Sequence, residues 1–346
     1  MREPPALLSV VAPVLDEEEV LESFYERVRD ALGDQEFELV VVDDGSRDRS
    51  GEILDRLAES DRRVRVVRLS RSFGYQAAVT AGLDHVRGDA VVTIDADLQD
   101  PPELIAELLA KWREGSDVVY AVRRERKGES WVKLATARWF SSLFVRLAQL
   151  DVPPNAGDFR LLDRRVVDSL RRMPERARFL RGMTVWVGYT QSSVPYDRDS
   201  RQAGRTRYRW RTLFRISLDA LSSFSHLPLQ IATVIGFAIS ALAFLGIPYV
   251  IVNRLLGFYV EGVSTLLFAI LFLGGIQLIF LGIIGEYISR IYDEVKQRPL
   301  YLVRERRNVA SAQPAPAPEP GSAIPPEPAR AQTNSELERS RSRAGE

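Results

Sequence analysis

The chain has 346 residues, and its 47 basic and 47 acidic side chains cancel to a formal net charge of zero, so length allows one large domain with further elements and bulk charge selects no partner. There is no cysteine, which excludes a disulfide framework and any thiolate metal site and fits a reducing compartment. Two histidines, His85 and His226, are too few for a multi-histidine zinc centre, and no nucleic-acid partner is expected.

The apolar run Leu7 to Leu15 contains Pro13, lacks a basic flank and is followed at once by Asp16 to Glu19, so it is expected to be a first buried strand rather than a signal peptide. Val20, Leu21, Phe24, Val28 and Leu32 then recur at helical spacing. Phe37 to Val42 reads as a strand that ends in Asp43-Asp44-Gly45-Ser46. Helix at Ser50 to Leu57, strand at Val64 to Leu69, helix at Tyr75 to Val86 and strand at Ala90 to Ile94 follow, the last running into Asp95. Pro101-Pro102-Glu103 reads as a helix start and Val118 to Arg123 as another strand. Such alternation predicts an α/β domain, a mostly parallel sheet with helices on both faces. Ligands of these sheets bind beyond the carboxyl ends of the strands, where both acidic clusters fall.

Trp131 to Leu150 and Tyr208 to Phe224 interleave aromatic and aliphatic residues with arginine and lysine. That pattern suits a membrane headgroup layer, and equally a surface helix packed on a core. Ile231 to Val252 and Val263 to Gly285 carry no charge, and each exceeds the roughly 20 apolar residues that cross a hydrocarbon core. The link Asn253 to Gly262 makes them a transmembrane hairpin. Arginine crowds before the first span and after the second, which places the N-terminal domain and the C-terminal segment in the cytoplasm. The expected divisions are a cytoplasmic domain at 1–200, a basic juxtamembrane segment at 201–228, two spans within 229–288, a basic cytoplasmic segment at 289–307 and a disordered tail at 308–346. A multi-pass protein of the plasma (inner) membrane results, in contact with lipid and with room for a homo-oligomer.

Asp95, Asp97 and Gln99 put two carboxylates and an amide oxygen at alternate positions after a strand. This suits a hard divalent cation, Mg2+ or Mn2+, though spacing alone also describes a solvated turn with an N-cap. Asp43 and Asp44 alone would equally serve a turn.

Taken together, Val10-Val11-Ala12-Pro13 with Glu17, then Val42-Asp43-Asp44-Gly45-Ser46, then Asp95-Ala96-Asp97 resemble the family 2 glycosyltransferases of the GT-A (Rossmann-like) fold. Ser72-Phe73-Gly74-Tyr75-Gln76-Ala77-Ala78, Asp97 to Glu103, Asn155 to Leu162, Arg178 to Gly182 and Gly285-Glu286-Tyr287-Ile288 narrow the resemblance to the branch similar to bactoprenol glucosyltransferases and dolichol-phosphate mannose synthases. It covers residues 7 to about 305. Asp16 stands where relatives often have asparagine, and Arg205-Thr206-Arg207-Tyr208 where they often carry lysine or serine.

The resemblance implies inverting transfer of a sugar from a nucleotide-sugar to a polyprenyl phosphate, with UDP-glucose the first expectation and GDP-mannose or UDP-linked amino sugars the alternatives. It implies Pro13, Glu17 and Asp44 at the base and ribose, with Asp43, Asp95 and Ala96 beside them. Asp95, Asp97 and Gln99 would hold the cation, and Asp158 is the candidate catalytic carboxylate with Asp97. Arg205 and Arg207 would close over the diphosphate or, as a basic juxtamembrane patch, hold anionic lipid. Arg123, Arg126, Ser130 and Lys133 would take the acceptor phosphate, the bland reading being a solvated basic loop. A phosphate monoester has its second pKa near about 6, so Asp158 is expected to orient rather than to remove a proton. A processive polysaccharide synthase is disfavoured because Arg209-Trp210 lacks the preceding glutamine of a Gln-x-x-Arg-Trp motif. An inactive scaffold is disfavoured by intact Asp95, Asp97 and Asp158.

Overall fold

In the computed structural model, residues 2–124, 156–176, 178–197 and 262–309 are described, together with isolated positions 236, 252 and 256. The strands are β1 (Leu8–Val14), β2 (Phe37–Asp43), β3 (Val64–Leu69), β4 (Ala90–Thr93), β5 (Val118–Arg123), β6 (Ala156–Asp163), β7 (Gln191–Tyr196) and β8 (Val303–Arg307). The α-helices are α1 (Leu21–Leu32), α2 (Ser50–Ser60), α3 (Tyr75–His85), α4 (Ile105–Arg113), α5 (Arg164–Arg172), α6 (Leu180–Trp186) and α7 (Val263–Val295). A 3-10 turn, Pro102–Leu104, leads into α4. The expected stretches of 131–150, 208–224 and almost all of 231–252 lie outside the described residues, as does the chain beyond Val309.

The strands form one eight-stranded sheet in the order β7-β5-β6-β4-β1-β2-β3-β8. β3, β2, β1 and β4 are parallel neighbours, and β5 and β7 pair in parallel. β6 and β8 run against their neighbours. The mostly parallel sheet is therefore as expected, and its inner strands read as continuous apolar runs because both faces are covered. One face packs against α1, α2 and α4 through residues such as Phe24, Leu54 and Leu108. The other packs against α3, α5 and α6 through Val79, Val166 and Met183. In α1 the buried positions are Leu21, Phe24, Val28 and Leu32, and burying each such side chain contributes about 1.5–3 kcal/mol. Gly82 lets α3 close on the sheet, since a Cβ there would lie 2.2 Å from Val11 Cγ1.

One buried charge network lies at the opposite end of the strands from the acidic clusters. Glu38 on β2 is 1% exposed. It accepts from the Ser9 hydroxyl at 2.6 Å, the Arg87 amide at 2.6 Å and Arg87 Nε at 3.0 Å, and it pairs with Arg65. Burial pushes the Glu38 carboxyl up, but the hydrogen bonds from Ser9 and the Arg87 amide and the charge of Arg65 outweigh it and hold the group below the usual glutamate range.

The C-terminal elements continue regular structure past the apolar segment. The helix expected to end at Gly285 continues to Val295, because Glu286 and Arg290 pair at i and i+4 (3.1 Å) and keep the backbone helical. Its 33 residues span about 50 Å, longer than a bilayer core of about 30 Å. It is the one helix among the described residues long and apolar enough to cross a membrane, over Phe272–Val295. The chain then returns to the domain as β8, an edge strand paired with β3. Tyr301 donates to Asp84 (2.7 Å), and Asn308 Nδ2 donates to the carbonyls of Ala58 (2.6 Å) and Val64 (2.9 Å). The basic segment 289–307 is thus the end of a helix and a strand of the sheet, and Asn308 with Val309 belongs to the fold rather than to a tail.

Two outcomes follow. Glu38→Gln should destabilise the protein by about 3 kcal/mol at pH 7, since it strands Arg65 in the interior. The depressed folded pKa gives a contribution complete above the unfolded value of about 4.3 and lost as pH falls through the lower folded value. Thermal melts in detergent should therefore show a gap between wild type and variant at pH 7 that narrows at pH 3.5; an equal gap at both would contradict the role of charge. Ending the chain after Val309 should leave the melting midpoint in place, whereas ending it after Leu302, which removes β8, should lower it by several degrees.

Candidate active site

The carboxyl ends of β1 to β5 line one edge of the sheet. Because β6 is antiparallel, its first residues, Ala156 to Asp158, join them. The topology thus delivers side chains distant in sequence to one rim.

On the β2 side, Asp43 and Asp44 are both buried. Asp43 Oδ1 accepts from the Ser46 amide (2.8 Å), and Oδ2 pairs with Arg68 Nε (3.1 Å). Asp44 accepts from Phe73 N (2.7 Å), Ser72 Oγ (2.8 Å) and Gly74 N (3.0 Å), holding the loop that follows β3. Gly45 permits this approach: it sits at φ +78°, and a Cβ would lie 2.7 Å from the Arg71 carbonyl carbon. Pro13 and Glu17 flank β1, and the Glu17 amide donates to Ser50 Oγ at 3.0 Å. A cleft of about 700 Å3 opens beside them, walled by Asp16, Asp43, Arg68, Arg71, Arg304 and Glu305. The last two come from β8, so the strand after α7 forms part of the wall.

The Asp95–Asp100 loop follows β4. Tyr75 donates to Asp95 Oδ1 (2.8 Å), and Asp97 Oδ1 accepts from the Gln99 amide (3.1 Å). Leu98 between them has φ +58° with its side chain fully buried. A left-handed non-glycine residue costs on the order of 1–3 kcal/mol, here held by an apolar anchor in the turn between Asp97 and Gln99. Ala96 is buried below. Burial above all, and then the charges of Asp158, Asp100 and Asp97, push Asp95 up to about 7, against the hydrogen bond from Tyr75. Several carboxylates thus crowd at this part of the rim, an environment that suits a cation. Among the described residues no three acidic or imidazole groups enclose a metal site. Two carboxylates and the Gln99 amide suit a cation that takes its remaining oxygens from a diphosphate, the usual situation of Mg2+.

Asp158 faces this loop from β6, gripped from both sides. Arg160 Nη2 donates to Oδ1 at 2.7 Å and Arg181 Nη2 to Oδ2 at 3.3 Å. Arg160 is 3% exposed and also donates to Thr184 Oγ1 (3.1 Å). Further along the rim, Arg123 ends β5 with its Nε donating to the Tyr196 hydroxyl oxygen at 3.2 Å.

Of the expected site residues, Pro13, Glu17, Asp43, Asp44, Asp95, Ala96, Asp97, Gln99, Arg123 and Asp158 lie along this rim. Arg126, Ser130, Lys133, Arg205 and Arg207 lie outside the described residues. Arg68, Tyr75, Asp100, Arg160, Arg181 and Tyr196 are additional members that residue spacing did not assign. Arg160 had a signal, a charge flanked by the apolar Phe159 and Leu161 within a strand. Tyr196 had none.

An acidic, cation-demanding rim on a mostly parallel sheet, faced by arginine, defines an enzyme that handles phosphorylated substrates. Residues 9–171 match the family described as Glycosyl transferase family 2. An uncharacterized glycosyltransferase of Synechocystis is 48% identical over 301 residues, 86% of this chain and 95% of that one. The uncharacterized glycosyltransferase YkcC of Bacillus subtilis is 46% identical over 300 residues, 86% of this chain and 93% of that one. The bactoprenol glucosyl transferase of Shigella phage SfX is 42% identical over 303 residues, 87% of this chain and 99% of that one. The chain belongs to glycosyl transferase family 2 and is a glycosyltransferase.

Proposed function

We propose that this glycosyltransferase moves a sugar, first of all glucose from UDP-glucose, onto an undecaprenyl-type polyprenyl phosphate with inversion, giving a polyprenyl monophosphosugar and a nucleoside diphosphate. The observation that carries the reading is the rim itself, where the acidic Asp95–Asp100 loop after β4 and the Arg123 guanidinium at the end of β5 stand on either side of β6. A diphosphate leaving group needs positive charge on one side of the reacting carbon, and a phosphate nucleophile needs it on the other. The 42% identity to a bactoprenol glucosyl transferase supports the acceptor and the sugar. GDP-mannose and UDP-linked amino sugars are the alternative donors, and mass spectrometry of the lipid product from a panel of nucleotide-sugars decides among them.

In this reading Pro13, Glu17, Asp43 and Asp44 receive the nucleotide, with Asp44 acting through the 72–74 loop that it holds. Asp95, Asp97 and Gln99 hold a divalent cation, Mg2+ or Mn2+. When bound, the cation supplies Lewis-acid stabilisation of the departing diphosphate. Arg205 and Arg207 add positive charge over the diphosphate, and Arg123, Arg126, Ser130 and Lys133 grip the acceptor phosphate. The long apolar α7 is one of two spans, with the catalytic domain on the cytoplasmic side of the membrane.

Asp158 positions rather than deprotonates. Both of its oxygens accept from guanidinium groups, which fixes the direction of the carboxylate. The acceptor, with its second ionisation near about pH 6, is a nucleophile without help.

Asp97→Ala, or chelation, should lower transfer by at least about 10²-fold with the melting midpoint retained. Full turnover in chelator would remove the cation from the mechanism. Asp158→Asn should be slow at every pH, with an acidic limb that still follows the acceptor near about pH 6. The measurement is transfer rate against pH at saturating lipid, in a regime where chemistry limits. Loss of that limb in the variant would restore Asp158 as a general base.

A further inference from the structure

Asp100 closes the acidic loop and lies three residues beyond Asp97, yet it points away from the donor side. Its side chain is 1% exposed. Oδ1 accepts from the hydroxyl of Tyr196, the last residue of β7. Oδ2 lies 3.9 Å from Nη2 of Arg123, the last residue of β5. Arg123 Nε donates to the Tyr196 hydroxyl oxygen at 3.2 Å, which closes a ring of three side chains from three elements. Strand register sets the pairing, since β5 and β7 are parallel with Arg123 opposite Tyr196. The Tyr196 ring is fixed in turn against Phe159, edge to face at 6.1 Å. Gly157 leaves room for the guanidinium, because a Cβ there would lie 3.2 Å from Arg123 Nη2. One third of the Arg123 side chain stays exposed, at 34%, so it can still meet a ligand.

We propose that Tyr196 and Asp100 are positioning residues that aim Arg123 at the acceptor phosphate, and that Asp100 ties this acceptor group to the donor loop. The inference rests on the acceptor role of Arg123 given above. An arginine side chain carries considerable rotamer freedom, and its grip on phosphate depends on the direction of a planar fork. Holding Nε by a hydrogen bond to Tyr196, with the charge of Asp100 beside one terminal nitrogen, favours one orientation of the remaining N–H groups before the lipid arrives. Asp100 also belongs to the loop of Asp95 and Asp97, so a shift of that loop on donor binding reaches Arg123 through one carboxylate.

The experiment is steady-state kinetics on the full-length protein in detergent, with UDP binding followed by calorimetry. Tyr196→Phe keeps the ring and removes the hydroxyl. It should raise KM for polyprenyl phosphate about tenfold, the loss of one hydrogen bond to a charged group, while KM for the nucleotide-sugar and the affinity for UDP stay within twofold. Asp100→Asn, which keeps the shape and removes the charge, should move the acceptor KM in the same direction. Arg123→Ala should raise it further, and adding Tyr196→Phe to Arg123→Ala should cost nothing more, because the tyrosine acts through the arginine. An unchanged acceptor KM in Tyr196→Phe, equal losses in donor and acceptor parameters, or additivity in the double variant overturns the positioning role while leaving the acceptor role of Arg123 standing. An unchanged acceptor KM in Arg123→Ala overturns that role and this proposal with it.

Discussion

Mutual repulsion among carboxylates at one edge of the sheet is the constraint around which this site is built. Asp95, Asp97 and Asp100 follow β4, and Asp158 arrives from β6. Like charges brought together in a partly dry environment either take up protons or acquire counter-charge. Each carboxylate solves the problem differently. Asp158 has two arginines, Asp100 has Tyr196 and Arg123, and Asp95 has a tyrosine hydroxyl and is left with a raised pKa of about 7. The charge left unbalanced sits at the donor loop, where a cation carried in with a diphosphate would be drawn. The balanced groups stand where geometry matters more than charge.

Topology makes this arrangement possible. In a fully parallel sheet, strand ends on the rim would each lead into a crossover helix, and a residue such as Asp158 would lie at the far edge. Reversing β6 between β4 and β5 puts its first residues beside the ends of its neighbours, with Thr93 Oγ1 donating to the Asp158 carbonyl at 2.6 Å. The second reversed strand, β8, does comparable work at the other end of the sheet. It follows the apolar α7, pairs with β3 and sends Glu305 to Arg68 (2.8 Å), which holds Asp43. The long apolar helix α7 and the cleft beside β2 are thereby joined by one short stretch of regular backbone, and Arg176 N donates to Glu294 near the end of α7 at 2.8 Å.

The parts of this architecture legible in the sequence are those set by local pattern. The strand Val118–Arg123 and the starts of α2 and α3 fall where periodicity places them, because apolar alternation and helical spacing are local properties. The rim residues Asp43, Asp95 and Asp97 were legible because acidic pairs after strands stand out against apolar runs. What remained hidden depends on contacts across the chain. β8 reads Val303-Arg304-Glu305-Arg306-Arg307, a charged segment without a strand's apolar alternation, and it becomes a strand only because the β3 edge is open to it. The partners of Asp158 lie at Arg160 and Arg181, and those of Asp100 at Arg123 and Tyr196, so their meaning appears only once three strands and a helix have been packed.

The arrangement also separates two tasks that one carboxylate is often asked to perform. A base must be able to accept a proton, and therefore must be poorly supplied with donors. An orienting group must be held rigidly, and therefore must be well supplied. In the proposed reaction Asp158 is of the second kind, with Arg160 and the backbone of Arg181 tied together through Thr184, whose hydroxyl accepts from Arg160 and donates to the Arg181 carbonyl at 3.0 Å. A nucleophile that is ionised on arrival makes that choice affordable: with no proton to remove, the rim can commit its carboxylates to holding a cation and setting directions. The remaining barrier is the approach of one anion to a sugar attached to another, and it is lowered by positive charge on the two sides of the reacting carbon. In the proposed reaction the acidic loop would recruit that charge on the donor side as a bound ion, and Arg123, with a carboxylate and a phenol behind it, would supply it on the acceptor side.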